Sequence, residues 1–181
     1  MSNIIARLSE DHRNFSKVLK VLIWQIELMK TDGEPDYMLL KDCLEYFADY
    51  SNVIHHPGED IVFERLIEMD ESIRPIIETL SRDHSLLTLV TRDLVEQLGA
   101  IDTNAIIDKE ALRARLEEYV LLQQGHMDME EGQVYPRLRK LISPEMSAEV
   151  ERHLDSGKDP LFGVDSLARY QSLLQRITEQ T

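Results

Sequence analysis

The stretch His55-His56-Pro57-Gly58-Glu59-Asp60-Ile61-Val62-Phe63-Glu64-Arg65-Leu66 decides the fold, because the chain repeats it. Its second copy is His126-Met127-Asp128-Met129-Glu130-Glu131-Gly132-Gln133-Val134-Tyr135-Pro136-Arg137-Leu138, one residue longer. In both copies a Glu follows a His by four positions. That is about 400° of α-helix, so the two side chains share one face, a turn apart. The repeat extends upstream, where Leu8-Ser9-Glu10-Asp11-His12 matches Leu80-Ser81-Arg82-Asp83-His84 at an offset of 72 residues. Two copies are too few for a solenoid. They describe two helical hairpins that carry the same polar residues at the same places, related by a pseudo-two-fold repeat.

Apolar spacing around these motifs is helical. Ile4, Ile5, Leu8, Phe15, Val18, Leu19, Leu22, Ile26 and Met29 recur every three to four residues and predict a first helix ending near Asp32-Gly33. Pro35 opens a second, marked by Leu39, Leu40, Cys43, Phe47, Tyr50 and Ile54. Pro57 lacks a backbone donor, which predicts a kink or local widening before the pattern resumes through Val62, Leu66 and Met69. Pro75 opens a third helix with Gly99 as its stop, and a fourth runs from about Asp108 to Leu141. Four long helices with short connections predict an all-α, up-down-up-down four-helix bundle over residues 1–142. Residues 143–181 read as a helical extension that packs on the bundle or on a partner. It has a short helix capped by Ser143-Pro144-Glu145 and ending near Leu154, a loop over Ser156-Gly157-Lys158-Asp159-Pro160, and an amphipathic helix from Leu167 to Ile177.

Composition narrows the function classes. The 181 residues hold 43% apolar and 30% charged side chains, with only 6% aromatics, a balance that suits helices better than a β-sandwich. A net charge of −14 disfavours nucleic acid and anionic lipid as partners. The lone Cys43 excludes an internal disulfide and a Cys-based zinc or iron–sulfur site, and it reads as a small core thiol. No signal peptide stands at Met1-Ser2-Asn3-Ile4-Ile5-Ala6-Arg7, and no apolar run is long enough for a membrane span, so the expected location is cytoplasmic.

His12 lies among Leu8, Phe15 and Leu19, and His84 among Leu80, Leu87 and Leu94, so each faces the bundle axis. A lone His on an apolar stripe is most often a satisfied core residue, and a single H-x-x-x-E pair is a common surface pair. Repetition of both in the same order is what speaks for chemistry. Buried imidazoles and carboxylates that converge on one axis are costly unless paired, and cations resolve that cost. Imidazole with carboxylate suits iron, and a Glu can bridge two metals. Without metal, Glu59 and Glu130 are expected to resist ionising and the imidazoles to resist charging.

The order His12, His55-x-x-x-Glu59, His84, His126-x-x-x-Glu130 resembles the H-HxxxE-H-HxxxE pattern of the hemerythrin-like, or HHE cation-binding, family, and the run His55-His56-Pro57-Gly58-Glu59-Asp60 strengthens the likeness over roughly residues 4–141. The resemblance implies a bundle with an oxo- or hydroxo-bridged pair of iron ions. His12, His55, His84 and His126 would then be terminal ligands, and Glu59 and Glu130 bridges. The chain departs from the oxygen-carrying members, whose third helix brings two His spaced by four. Here the position four after His84 is Thr88 and the one four before it is Leu80. The vacancy could be filled by His56 or stay open to a ligand, and His56 could equally flank the Pro57 kink. The last carboxylate of those members sits five residues after its His, the place of Glu131 here, but symmetry with Glu59 favours Glu130. Tyr119, two turns before His126, could donate to a bound ligand or lie in the core. Asp11 and Asp83 are expected to point away from the site, His153 to lie on the surface, and the acidic run around Glu130 to face solvent.

Such a site suits binding or sensing of a small oxidant (O2, NO or peroxide) rather than oxygenation of an organic substrate, because the ligand set is rich in nitrogen. Iron storage or handling, repair of nitrosatively damaged iron–sulfur clusters and a non-catalytic interaction module are the alternatives. Relatives that perform such repair often carry an N-terminal Cys-bearing segment, which is not expected ahead of His12. A ferritin-like enzyme is disfavoured, because no Glu stands three residues before any His. The last amphipathic helix permits a homodimer.

Overall fold

A computed structural model describes residues 4–31, 33–101, 108–163 and 168–179. Four helical rods form the bundle. The first is α1, Ile4–Lys30. The second joins α2 (Tyr37–Tyr46), a π-helical segment (Phe47–His55) and α3 (His56–Met69). The third is α4, Arg74–Ile101. The fourth joins α5 (Lys109–Met129), a shorter π segment (Glu130–Val134) and α6 (Tyr135–Leu141). No strand occurs among the described residues. The fold is thus an all-α bundle with an internal repeat, as its polar pattern predicts.

Local chemistry sets most boundaries. Asp36 and Asp108 cap α2 and α5, accepting from Leu39 N–H and from Glu110 and Ala111 N–H. Pro35 therefore stands outside the second rod, which Asp36 begins. Gly99 does not stop α4, which continues to Ile101, and a Cβ at Gly99 would meet only Lys41 Cε at 3.8 Å. α1 ends at Lys30, just short of the expected Asp32-Gly33, of which Asp32 lies outside the described residues, as do the expected start of the last helix at Leu167 and residues 1–3.

The widening predicted at Pro57 is a full π segment. His56 N–H donates five residues back to the Ser51 carbonyl, and Pro57 follows as the second residue of α3. The fourth rod repeats the device, with Tyr135 N–H donating to the Glu130 carbonyl just before Pro136. A proline supplies no N–H and crowds the preceding turn, and the wider coil relieves both. The second π segment also absorbs the residue by which the second copy exceeds the first.

The core falls into two apolar clusters. One gathers Phe15, Leu22, Leu40, Phe47, Leu94 and Leu116. The other gathers Leu8, Val62, Phe63, Leu80, Val134 and Leu138. The buried His and Glu residues form a belt between them. Beyond the bundle, Ser143 caps α7 (Pro144–Leu154), and a 3-10 turn (Ala168–Tyr170) leads into α8 (Gln171–Glu179). Leu154 of α7 lies against Gly58, where a Cβ would stand 2.8 Å from its Cδ2. Leu173 and Ile177 of α8 join the first apolar cluster.

Candidate metal centre

Each rod delivers its polar residues to one level of the bundle. His12 comes from α1, His84 from α4 and His126 from α5, while the second π segment starts at Glu130. His55 and His56 straddle the end of the first π segment, and Glu59 follows one turn into α3. Adjacent residues of an α-helix diverge by about 100°. The looser coil here lets both imidazoles turn inward, so His56 is 4% exposed and stacks on His84 with ring centroids 4.2 Å apart. His56 of a neighbouring rod thus lies beside the single His of α4.

The donors form two overlapping groups. His12, His55 and Glu59 present atoms within 4.8 Å of one another, and so do His56, Glu59, His84 and His126. Glu59 Oε2 lies 3.4 Å from His55 Nε2 and 3.6 Å from His84 Nε2. Glu130 makes the complementary span, with Oε2 3.3 Å from His12 Nε2, and Oε1 3.1 Å from His126 Nε2 and 3.5 Å from His84 Nε2. Both carboxylates are fully buried and both face His residues of the two groups.

Hydrogen bonds do not account for these atoms. Glu59 Oε2, both Glu130 oxygens, His84 Nε2, His126 Nε2 and His56 Nδ1 are buried without a hydrogen-bond partner. His12 Nε2 and His55 Nε2 face each other at 3.1 Å. Two nitrogens bound to one ion at about 2.1 Å, at right angles about it, stand roughly 3 Å apart. The donor set is hard and borderline, without thiolate, and its unpaired atoms converge. The residues fit a cation pair.

An outer ring of carboxylates holds the imidazoles. His12 Nδ1 donates to Glu131 (3.1 Å), His55 Nδ1 to Asp11 (3.0 Å) and His84 Nδ1 to Asp60 (2.9 Å), while Asp83 faces His126 Nδ1 at 3.8 Å, beyond hydrogen-bond reach. The ring obeys the repeat: Asp11 and Asp83 each face the second His of their own copy, and Asp60 and Glu131 each hold the first His of the other. Such partners fix ring orientation and leave Nε2 free toward a metal. Asp11 and Asp83 therefore do not point away, and Glu131 is not merely solvated. Their signal was in the sequence, since both copies place an Asp directly before the first His.

Tyr135 escaped the sequence reading. Its hydroxyl donates to Glu59 Oε1 at 2.5 Å, and its ring stacks on His12 at 5.4 Å. Its repeat mate Phe63 stacks on His84 at 5.7 Å, without a hydroxyl. The one visible trace was a Tyr where the other copy has Phe. Tyr119, by contrast, packs on Phe47, and its hydroxyl lies 3.3 Å from both Thr91 Oγ1 and Gln123 Nε2, so it is not directed at the polar belt. His153 is half-buried rather than at the surface, donating to the Ile54 carbonyl of the π segment at 3.1 Å. Cys43 is a buried core thiol, its acidity suppressed by burial.

Electrostatics overturn part of the expected charge behaviour. Burial alone would lower the pKa of His12, but Glu130, Glu131 and Glu59 outweigh it and raise it to about 10. At His84 burial is likewise outweighed, by Asp60, Glu130 and Glu59, and its pKa rises to about 11. Burial opposes ionisation of Glu130, yet His126, His12 and His84 hold its carboxyl well below the usual range. His56 behaves as expected: burial, then the neighbouring His84 and His126, push it well below 6.5. In the metal-free chain the carboxylates thus favour protonated imidazoles at His12 and His84.

No helix among the described residues is long and apolar enough to cross a membrane. No curated protein and no solved structure significantly matches the chain. The sequence model of the hemerythrin HHE cation-binding domain matches residues 3–138, which span all six of the converging His and Glu residues along with His56. The chain belongs to the hemerythrin HHE cation-binding family.

Proposed function

We propose that the chain holds a pair of iron ions and uses them to bind or sense a small oxidant: O2, NO or peroxide. His12 and His55 hold one ion, His84, His126 and His56 the other, and Glu59 and Glu130 bridge them. The observation that carries this reading is the set of buried, unpaired carboxylate oxygens and imidazole nitrogens between the two apolar clusters. A bridged iron pair would supply reversible redox chemistry and a place for a diatomic ligand. The protein's part is to orient the imidazoles through their Nδ1 partners, to place the Tyr135 hydroxyl on Glu59 and to exclude bulk water. A groove between α1 and the fourth rod is lined by His12 and Glu131 and offers a small ligand an approach to the site.

Ligand binding is favoured over turnover of an organic substrate, because the buried donor set is rich in nitrogen. Iron handling is the second reading, favoured by the outer carboxylates. The test is metal analysis with an optical spectrum of the aerobic protein, then of the reduced protein under O2 and under NO. About two irons per chain with near-ultraviolet oxo-bridge bands that respond to either gas support the proposal. A colourless protein carrying one zinc overturns it.

A further inference from the structure

Asp159 and Tyr170 lie beyond the matched residues 3–138, yet both connect to the His55 side of the site. The Phe15 ring packs edge-on against His55, with centroids 4.9 Å apart, and against Tyr46 at 5.9 Å. Tyr46 in turn meets Tyr170 at 6.1 Å. Each of the two tyrosines donates to its own carboxylate: Tyr46 to Asp159 Oδ2 at 3.1 Å, and Tyr170 to Asp49 Oδ2 at 2.8 Å. Asp49 is 40% exposed and paired with Arg169, whose guanidinium also covers the Tyr170 ring at 4.6 Å. The line therefore begins at a candidate ligand, runs through rings in contact and ends at the surface.

We propose that Phe15, Tyr46 and Tyr170 form a path that carries single electrons from the surface at Asp49 to the metal centre, and that the C-terminal extension supplies its outer end. A tyrosine gives up an electron readily only when its hydroxyl proton has an acceptor, and a carboxylate in hydrogen-bond contact is one. Burial keeps both hydroxyls protonated and disposes Asp159 to hold a proton. Phe15 has no such proton and serves only as the contact between rings.

The inference rests on the proposed reaction with peroxide. Reduction of one hydrogen peroxide takes two electrons and two protons and yields two waters. For each electron, Tyr46 loses one toward His55 and its hydroxyl proton moves to Asp159, leaving a neutral tyrosyl radical. Tyr46 then takes an electron from Tyr170 and regains its proton from Asp159, while the Tyr170 proton moves to Asp49. A surface reductant, a thiol or ascorbate, returns one electron and Asp49 returns the proton. Solvent supplies the protons consumed at the centre, and two passes balance one peroxide.

The experiment uses full-length iron-loaded protein with its metal content verified, so that failure of the diiron reading is seen first. The oxidised protein, whose ferric pair has no electrons to give, is mixed with hydrogen peroxide without added reductant and freeze-quenched for electron paramagnetic resonance, with ring-deuterated tyrosine to identify the radical. The expected result is a tyrosyl signal that narrows on deuteration, is lost in Tyr46→Phe, and in Tyr170→Phe persists on Tyr46. Tyr50 and Tyr135 also donate to carboxylates, Asp11 and Glu59, so a signal that stayed in Tyr46→Phe would lie on them and count against the path. Tyr119→Phe, equally buried but bonded to no carboxylate, keeps the signal. Peptide mapping should find oxidative damage moved to residues around the site in Tyr46→Phe. Normal iron content and peroxide consumption with no tyrosyl signal, or with the same signal in Tyr46→Phe, overturn the proposal.

Discussion

At the residue scale, the two carboxylates and the protons they attract dominate. Glu130→Ala removes a buried charge that faces His12, His84 and His126, and it is expected to abolish the binuclear centre, as is Glu59→Ala; metal analysis reads both. His56→Ala should weaken one ion and spare the other, so iron content falls toward one per chain. His153→Ala should keep both ions but lower the melting temperature, because it removes a donor to the Ile54 carbonyl. The histidine shifts carry a sign. Their folded pKa values, raised from 6.5 to about 10 and 11, mean stabilisation of the metal-free chain that is full below pH 6.5 and fades as pH rises through the folded values. Metal-free protein should therefore melt higher at pH 6.5 than at pH 10. Since a ligating nitrogen must shed its proton, loading iron at pH 7 should release about two protons per chain, read with an indicator dye. No release would mean that His12 and His84 are not ligands.

Among elements, the two π segments set which faces turn inward. Deleting Gly132, which is exposed and has open space where a Cβ would stand, removes the residue that the second π segment absorbs and returns Glu130–Val134 to α geometry in the register of the first copy. Val134, Tyr135 and Leu138 should then keep facing inward, as Val62, Phe63 and Leu66 do. The cost falls on Pro136, which would sit in a regular α turn and crowd the preceding carbonyl, so the variant should lose about 3 kcal/mol, read by denaturant titration, with its iron content kept. The extension is tested at Gly157, where an added Cβ would collide with Ile54 of the first π segment. Gly157→Ala should cost about 1–3 kcal/mol through overpacking and disturb His55 indirectly, so a shifted optical spectrum should accompany the lower stability.

For the whole molecule, the polar belt divides the core, and a bound metal would add to what holds the halves together. A ligand that binds only the folded state adds RT ln(1 + [L]/Kd), about 4 kcal/mol at a thousandfold excess over Kd. For a chain of this size that corresponds to a melting temperature higher by roughly 8–16 °C. Chelation should remove it while the helical circular dichroism at room temperature persists, since both apolar clusters remain. An unchanged melting temperature after verified iron removal would contradict a buried metal centre. By itself the sequence determined the bundle, its internal repeat and the six converging residues His12, His55, Glu59, His84, His126 and Glu130, because helical periodicity is local and a spacing of four fixes a shared face. The inward turn of His56, the Nδ1 partners Asp11, Asp60 and Glu131, the Tyr135 hydroxyl on Glu59 and the seat of the C-terminal helices were decided only by the tertiary structure. Those contacts join separate helices, and their register depends on two π segments and on packing across the bundle, which no spacing along one helix encodes.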